Sequence, residues 1–287
     1  MLFSIIIPSF KNYSYLRITI ESILKNSNHK HQIIVHVNGN DIETVTYLNN
    51  NNIEFTSSKV NLGLCRGVNI ASRLAKTDYI VYAHDDMYFL PEWDQHLKNE
   101  IDLINDTKFY LSSTQIGPLP SDNLKPNHIY YNAGTNINNF NETDLLNNYK
   151  NLKFYDLQGS HWAPHVIHKE IWEKVGGFSE EFDPGFGSDP DLNMKLWNQG
   201  VRIFKGVNLS RTYHFGSQTT RKNDKIVRNN ANKTFLNKWG ITIDFFTKYY
   251  LNRGDVYESP LGEVKYNIFT LFSLLTCKIK LFIQKIT

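Results

Sequence analysis

The first ninety residues switch between two hydrophobic periods. Residues 3–7 form a β-branched run stopped by Pro8, which predicts a short buried strand ending in a loop. Over residues 14–25, Leu16, Ile20, Ile23 and Leu24 fall on one helical face. A second strand is expected at 32–37, followed by the turn chemistry of Asn38-Gly39-Asn40-Asp41. A helix over 42–49, a strand at 53–56, a helix over 64–75 and a strand at 78–83 continue the series. This β-α-β-α-β-α-β order predicts an α/β fold, with a parallel sheet covered by helices on both faces. Ligands of such sheets lie beyond the carboxyl ends of the strands, so chemistry is expected in the loops after Ile7, Val37, Thr56 and Ala83.

Pro91 suits the first turn of a helix reaching about residue 104. Residues 114–158 are polar and asparagine-rich, and read as loops and short strands over the active face. Helices are expected at 169–175, stopped by Gly176-Gly177, and at 189–199, closed by Gly200. From about residue 216 the chain becomes basic and aromatic. It ends in a lysine-punctuated apolar stretch, 264–286, expected to be helical. The main domain is therefore placed at 1–215 and a C-terminal helical extension at 216–287.

Composition narrows the function classes. A 41% hydrophobic fraction over 287 residues excludes wholesale disorder and supports a sizeable core. Lys+Arg 31 against Asp+Glu 28 gives a net charge of +3, too mild to call for nucleic acid, and none is expected as a partner. Cys65 and Cys277 stand far apart, with neither metal spacing nor a disulfide framework, which favours a reducing, cytoplasmic setting. The N-terminus lacks a charged n-region and a small-residue cleavage site. The longest uncharged apolar stretch, 266–277, is shorter than the roughly 20 residues a spanning helix needs.

Three motifs carry candidate chemistry. His84-Asp85-Asp86-Met87 follows the fourth strand, and adjacent carboxylates there repel unless a cation or a donor-rich ligand shares the site. Oxygen ligands of this kind suit Mg²⁺ or Mn²⁺; the plainer alternative is a solvated acidic turn. Asn61-Leu62-Gly63-Leu64-Cys65-Arg66-Gly67-Val68-Asn69 sits at a strand-to-helix junction, where Gly63 and Gly67 let backbone approach a ligand and Arg66 is available to a diphosphate. Equally, Gly67 serves close helix–sheet packing and Asn61 serves as a helix cap. In Gly187-Ser188-Asp189-Pro190-Asp191-Leu192, Asp189 is a good N-cap, and also a carboxylate that the helix dipole keeps ionised, as a general base requires. Asp191 is a second acceptor-binding carboxylate or simply a first-turn acid. His214 is a candidate third metal ligand, Arg211, Arg221 and Lys222 are candidate partners of a diphosphate, and Trp162 is a candidate sugar-stacking platform or a core residue.

Taken in order, four segments resemble the inverting nucleotide-sugar glycosyltransferases of glycosyltransferase family 2, which have the GT-A fold. These are Ser4-Ile5-Ile6-Ile7-Pro8-Ser9-Phe10, the Asn61 to Asn69 segment, Asp85-Asp86, and Gly176-Gly177-Phe178 through Asp191-Leu192. The resemblance covers about residues 3–215, and implies a nucleotide-binding half at about 1–90 and an acceptor half at about 91–215. It implies Asp189 as catalytic base and Asp86 as metal ligand for Mn²⁺ or Mg²⁺, with Asp85 on the ribose or a metal-bound water. Pro8, Phe10, Asn38, Asn61, Gly63, Arg66 and Arg221 are the expected donor contacts. The chain departs from the pattern where His84 replaces a first carboxylate, where Ser188 stands before the base, and where Val37-Asn38 replaces a carboxylate pair. Asn38 both donates and accepts, which suits a uracil or ribose edge.

The implied activity is metal-dependent transfer from a nucleotide-diphospho-sugar, a UDP-sugar by preference, to a glycan or lipid-linked glycan in surface polysaccharide synthesis. Two alternatives stay open: a sugar-phosphate nucleotidyltransferase, and a degenerate domain serving as a glycan-binding module. Residues 264–287 are expected either to touch an anionic membrane from its inner face or to pack on the domain or on a second subunit.

Overall fold

The computed structural model describes residues 1–120, 127–216 and 224–286. In chain order the elements are β1 (Ser4–Ser9), α1 (Tyr13–Asn26), β2 (Gln32–Val37), α2 (Ile42–Asn50), β3 (Glu54–Ser57), α3 (Leu64–Ser72), β4 (Tyr79–Tyr82) and β5 (Met87–Phe89). There follow α4 (Trp93–Ile104), β6 (Phe109–Gly117), β7 (His128–Tyr130), α5 (Glu142–Asn148), β8 (Leu157–Gln158), β9 (His165–His168), α6 (Lys169–Val175) and α7 (Ser188–Asn198). The chain closes with β10 (Ile203–His214), α8 (Asp224–Trp239), α9 (Ile243–Phe245) and α10 (Ile268–Ile286). The strands form one sheet in the order β3-β2-β1-β4-β9-β6-β10-β5, with β7 beside β6 and β8 beside β10.

The alternating pattern of the first ninety residues appears as four parallel strands, β3, β2, β1 and β4. Every residue of β1 and β2 is buried, as a strand covered on both faces requires. α1 buries Leu16, Ile20 and Ile23, whereas Leu24, expected on the same face, is exposed. Beyond β4 the sheet is mixed rather than parallel. β9 runs antiparallel to β4 and β6, and β10 is parallel to β6 but antiparallel to β5.

The twelve-residue β10 is the element that periodicity conceals, because polar residues interrupt its apolar run. The two charged ones, Lys205 and Arg211, are buried with partners. Lys205 reaches Glu100 and Asp156, both at 2.8 Å. Arg211 donates to the carbonyls of Leu152 and Asn208 at 2.8 and 2.9 Å, and also to that of Tyr149.

The boundary expected near residue 216 is no break in packing. Phe235, Phe246 and Leu251 are fully buried in the same core as Ile6, Leu192 and Phe204. α10 lies at the surface, with just Thr270 and Cys277 of its nineteen residues buried. Among the described residues no helix is long and apolar enough to cross a membrane.

Candidate active site

The strand ends converge as the parallel topology demands. A cleft of about 300 Å³ is lined by Pro8, Ser9 and Phe10 at the end of β1, Asn38 after β2, and Asn61, Gly63 and Leu64 before α3. His84, Asp85 and Asp86 after β4 line it too, and Pro184, from the loop preceding α7, closes it.

β5 and β10 assemble its acidic end. Their antiparallel register sets His214 opposite Met87, and the Phe215 amide donates to the Asp86 carbonyl at 3.2 Å. His214 Nε2 consequently lies 3.1 Å from Asp86 Oδ1. One ligand atom from each of His84, Asp86 and His214 falls within 4.8 Å of the others. His84 was not expected as a ligand; its place immediately before the acidic pair was the available signal.

Burial opposes ionisation of Asp86, but the His214 charge outweighs it and holds this carboxyl below its ordinary range. Asp85 is pushed the other way, up to about 7, by burial and by Asp86, although Ser9 Oγ donates to it at 2.6 Å. Burial and neighbouring His214 push His84 down to about 4, leaving a neutral imidazole with a lone pair to offer. Burial also opposes charge on His214, yet Asp86 raises it overall. One carboxylate and two imidazoles thus converge beside a second carboxyl that resists ionising. Once a cation displaces the proton that Asp86 favours on His214, that donor set fits a divalent metal.

Asp189 is not the helix cap its sequence context suggested. α7 begins at Ser188 with Gly187 in the capping position, no side chain caps it, and Ser188 Oγ donates to the Gly185 carbonyl at 2.6 Å. Oδ1 of Asp189 is buried without a hydrogen-bond partner. Burial raises this carboxyl to about 7, overriding the helix dipole that was expected to keep it ionised. It is not among the residues that line the cleft, but it shares a neighbour with the acidic pair. Burial first, then Asp189, Cys65, Asp85 and Asp86, drive up the Tyr82 phenol on β4, so one ring feels all three carboxylates.

The other expected site residues divide. Phe10 stands half-exposed at the cleft mouth, its ring edge above Gly39. Asn38 is buried and braces the neighbouring turn, accepting from the Leu62 amide at 2.9 Å and donating to the Gly63 carbonyl at 3.2 Å. Asn61 accepts from the Gly63 amide at 3.0 Å, and so shapes this turn rather than capping α3. Gly67 serves packing: a Cβ there would stand 2.7 Å from the His36 ring.

Four expectations are corrected. Arg66 is paired with Glu180 at 3.0 Å and Asp183 at 3.6 Å instead of awaiting a diphosphate. Arg211 is consumed by backbone carbonyls. Trp162 is buried, its indole donating to the Ser113 carbonyl at 3.3 Å, so it offers no open stacking face. Asp191 is fully buried and taken up by Ser179 at 2.6 Å, Trp239 at 2.8 Å and Lys238 at 2.9 Å, so it is an internal anchor for α8 and not an acceptor contact. Arg221 and Lys222 lie outside the described residues.

Sequence reasoning missed Asp183. Its Oδ1 accepts the Cys65 amide at 2.7 Å, so a carboxylate from the loop before α7 occupies the start of α3. Gly63 makes room for it, with φ +94° and space in which a Cβ would lie 2.3 Å from the Asp183 carboxyl.

A mixed sheet with an acidic, cation-ready cleft at its strand ends defines the GT-A class of glycosyltransferase. The family pattern "Glycosyl transferase family 2" matches residues 4–171, and the chain belongs to that family. Among solved structures it is similar to residues 1–349 of S. aureus TarS in complex with UDP-GlcNAc, at TM-score 0.56 and 11% identity, covering 99% of this chain and 72% of that one. It is also similar to GalNAc-T7 with UDP, GalNAc and Mn²⁺, at TM-score 0.57 and 15% identity, covering 85% of this chain and 52% of that one. Against the longer TarS chain the match spans only 40% of its length. No curated protein matches the chain.

Proposed function

We propose that this glycosyltransferase uses a UDP-sugar and transfers the sugar with inversion to a hydroxyl of a glycan or lipid-linked glycan, as in surface polysaccharide synthesis. The observation that carries the reading is the orphaned carboxylate oxygen of Asp189, a group that acts on the same Tyr82 phenol as the acidic pair. Asp189 takes the proton of the acceptor hydroxyl as it attacks the anomeric carbon, and a carboxyl held near 7 is well matched to that task. Attack on the face opposite the departing diphosphate inverts the centre in a single displacement.

Asp86, His84 and His214 would hold Mn²⁺ or Mg²⁺, and a cation bound there supplies Lewis-acid stabilisation of the diphosphate. Phe10 and Asn38 flank the space for the nucleobase, and Asp85, fixed by Ser9, faces the ribose. UDP is favoured because both structural neighbours are seen with UDP or UDP-GlcNAc.

Titration calorimetry with UDP, with and without Mn²⁺, together with a UDP-sugar hydrolysis assay, tests the reading. Asp86→Ala should lose the Mn²⁺-dependent part of UDP binding. Asp189→Asn should keep UDP affinity within about twofold while turnover falls roughly 10³-fold. Equal loss of UDP affinity in the two variants, or turnover retained in Asp189→Asn, would overturn it.

A further inference from the structure

α10 is docked by one face only. Thr270 and Cys277 are buried, Ser273 Oγ lies 2.8 Å from Tyr249 Oη, and Gln284 donates to the Lys233 carbonyl at 3.1 Å. These contacts fix the rotation of the helix. On the opposite face stand Ile268, Phe272, Leu275, Ile279, Phe282 and Ile286, each 51–67% exposed. They are spaced four, three, four, three and four residues apart, which draws a continuous apolar stripe along the helix. Phe269, at 74%, and Leu271, at 52%, widen it beyond a narrow seam.

The charges settle which partner suits this stripe. The helix contains no acidic residue, and its lysines flank the stripe, Lys278 and Lys285 on one side and Lys280 on the other. Two copies packed through these faces, in either direction, would set lysine against lysine with no carboxylate to answer. An anionic bilayer answers both features. Its headgroups pair with the lysines, and its acyl boundary takes up the outward Phe, Leu and Ile side chains.

We infer that α10 is an interfacial anchor that lies in the plane of an anionic membrane surface, its stripe inserted and its lysines at headgroup level. The inference stands on the helix alone and does not depend on the sugar-transfer reading.

The test is co-sedimentation of the full chain with vesicles of two parts phosphatidylcholine to one part phosphatidylglycerol, compared with pure phosphatidylcholine, and sedimentation equilibrium without lipid. Binding to the anionic vesicles is expected to exceed binding to the neutral ones. Replacing all three lysines by Gln should weaken it about a hundredfold. A Phe272→Asp/Ile279→Asp variant should lose it while keeping the wild-type circular dichroism spectrum and UDP affinity, because both side chains point away from the protein. Absence of binding to anionic vesicles, or a lipid-free dimer that this double variant dissolves, would overturn the inference.

Discussion

Asp189→Asn separates a reactive carboxylate from a structural one. A carboxyl with a folded pKa near 7, against an ordinary 3.8, costs about 4 kcal/mol when it must ionise in the folded state. The sign follows from proton counting. Between these values the native state holds a proton that the unfolded chain has released. The stability this contributes is complete below about pH 4 and is lost as pH rises through about 7. Asparagine has nearly the same shape and stays neutral, so the substitution should leave stability almost unchanged near pH 4 and raise it progressively above. Allowing for partial solvent contact, the gain at pH 8 should exceed that at pH 5 by about 2 kcal/mol. Urea denaturation of both proteins at the two pH values measures it. If the variant is less stable than wild type at pH 8, Asp189 is a structural carboxylate and its assignment as base fails.

Gly63→Ala should destabilise the protein by about 2 kcal/mol or more, since φ +94° and a Cβ 2.3 Å from the Asp183 carboxyl act together; a change under about 0.5 kcal/mol in urea denaturation would contradict the packing described. Asp191→Ala should cost about 2 kcal/mol by leaving the Trp239 indole and the Ser179 hydroxyl without their acceptor, Lys238 keeping Glu181, while calorimetric UDP affinity stays unchanged; the opposite pattern would return Asp191 to the binding site.

The first ninety residues were legible because β1 and β2 are buried on both faces and the helices keep one period, so local pattern and tertiary position agree. The same is true of the cleft, since the loops after β1, β2 and β4 are defined by those strands. β10 was illegible because Lys205 and Arg211 disguise a central strand, and their partners at Glu100, Asp156 and the Tyr149–Leu152 turn are distant in sequence. His214 shows both limits. Its residue type suggested a ligand, but only the pairing of β10 with β5 brings it to Asp86. For Asp191 and Trp162 the residue types suited an open site, and burial decided otherwise.

The carboxylate that Asp183 lends to α3 makes the molecule its own counter-ion. A tethered anion competes at an effective concentration of the order of millimolar or more, so phosphate or sulfate in a buffer cannot readily take the amide of Cys65. Helix starts in nucleotide-binding sheets often draw phosphate groups, and here that invitation is already accepted from within. On the proposed reading, the phosphates of an incoming donor would find that helix start taken and would be left to the cluster of His84, Asp86 and His214.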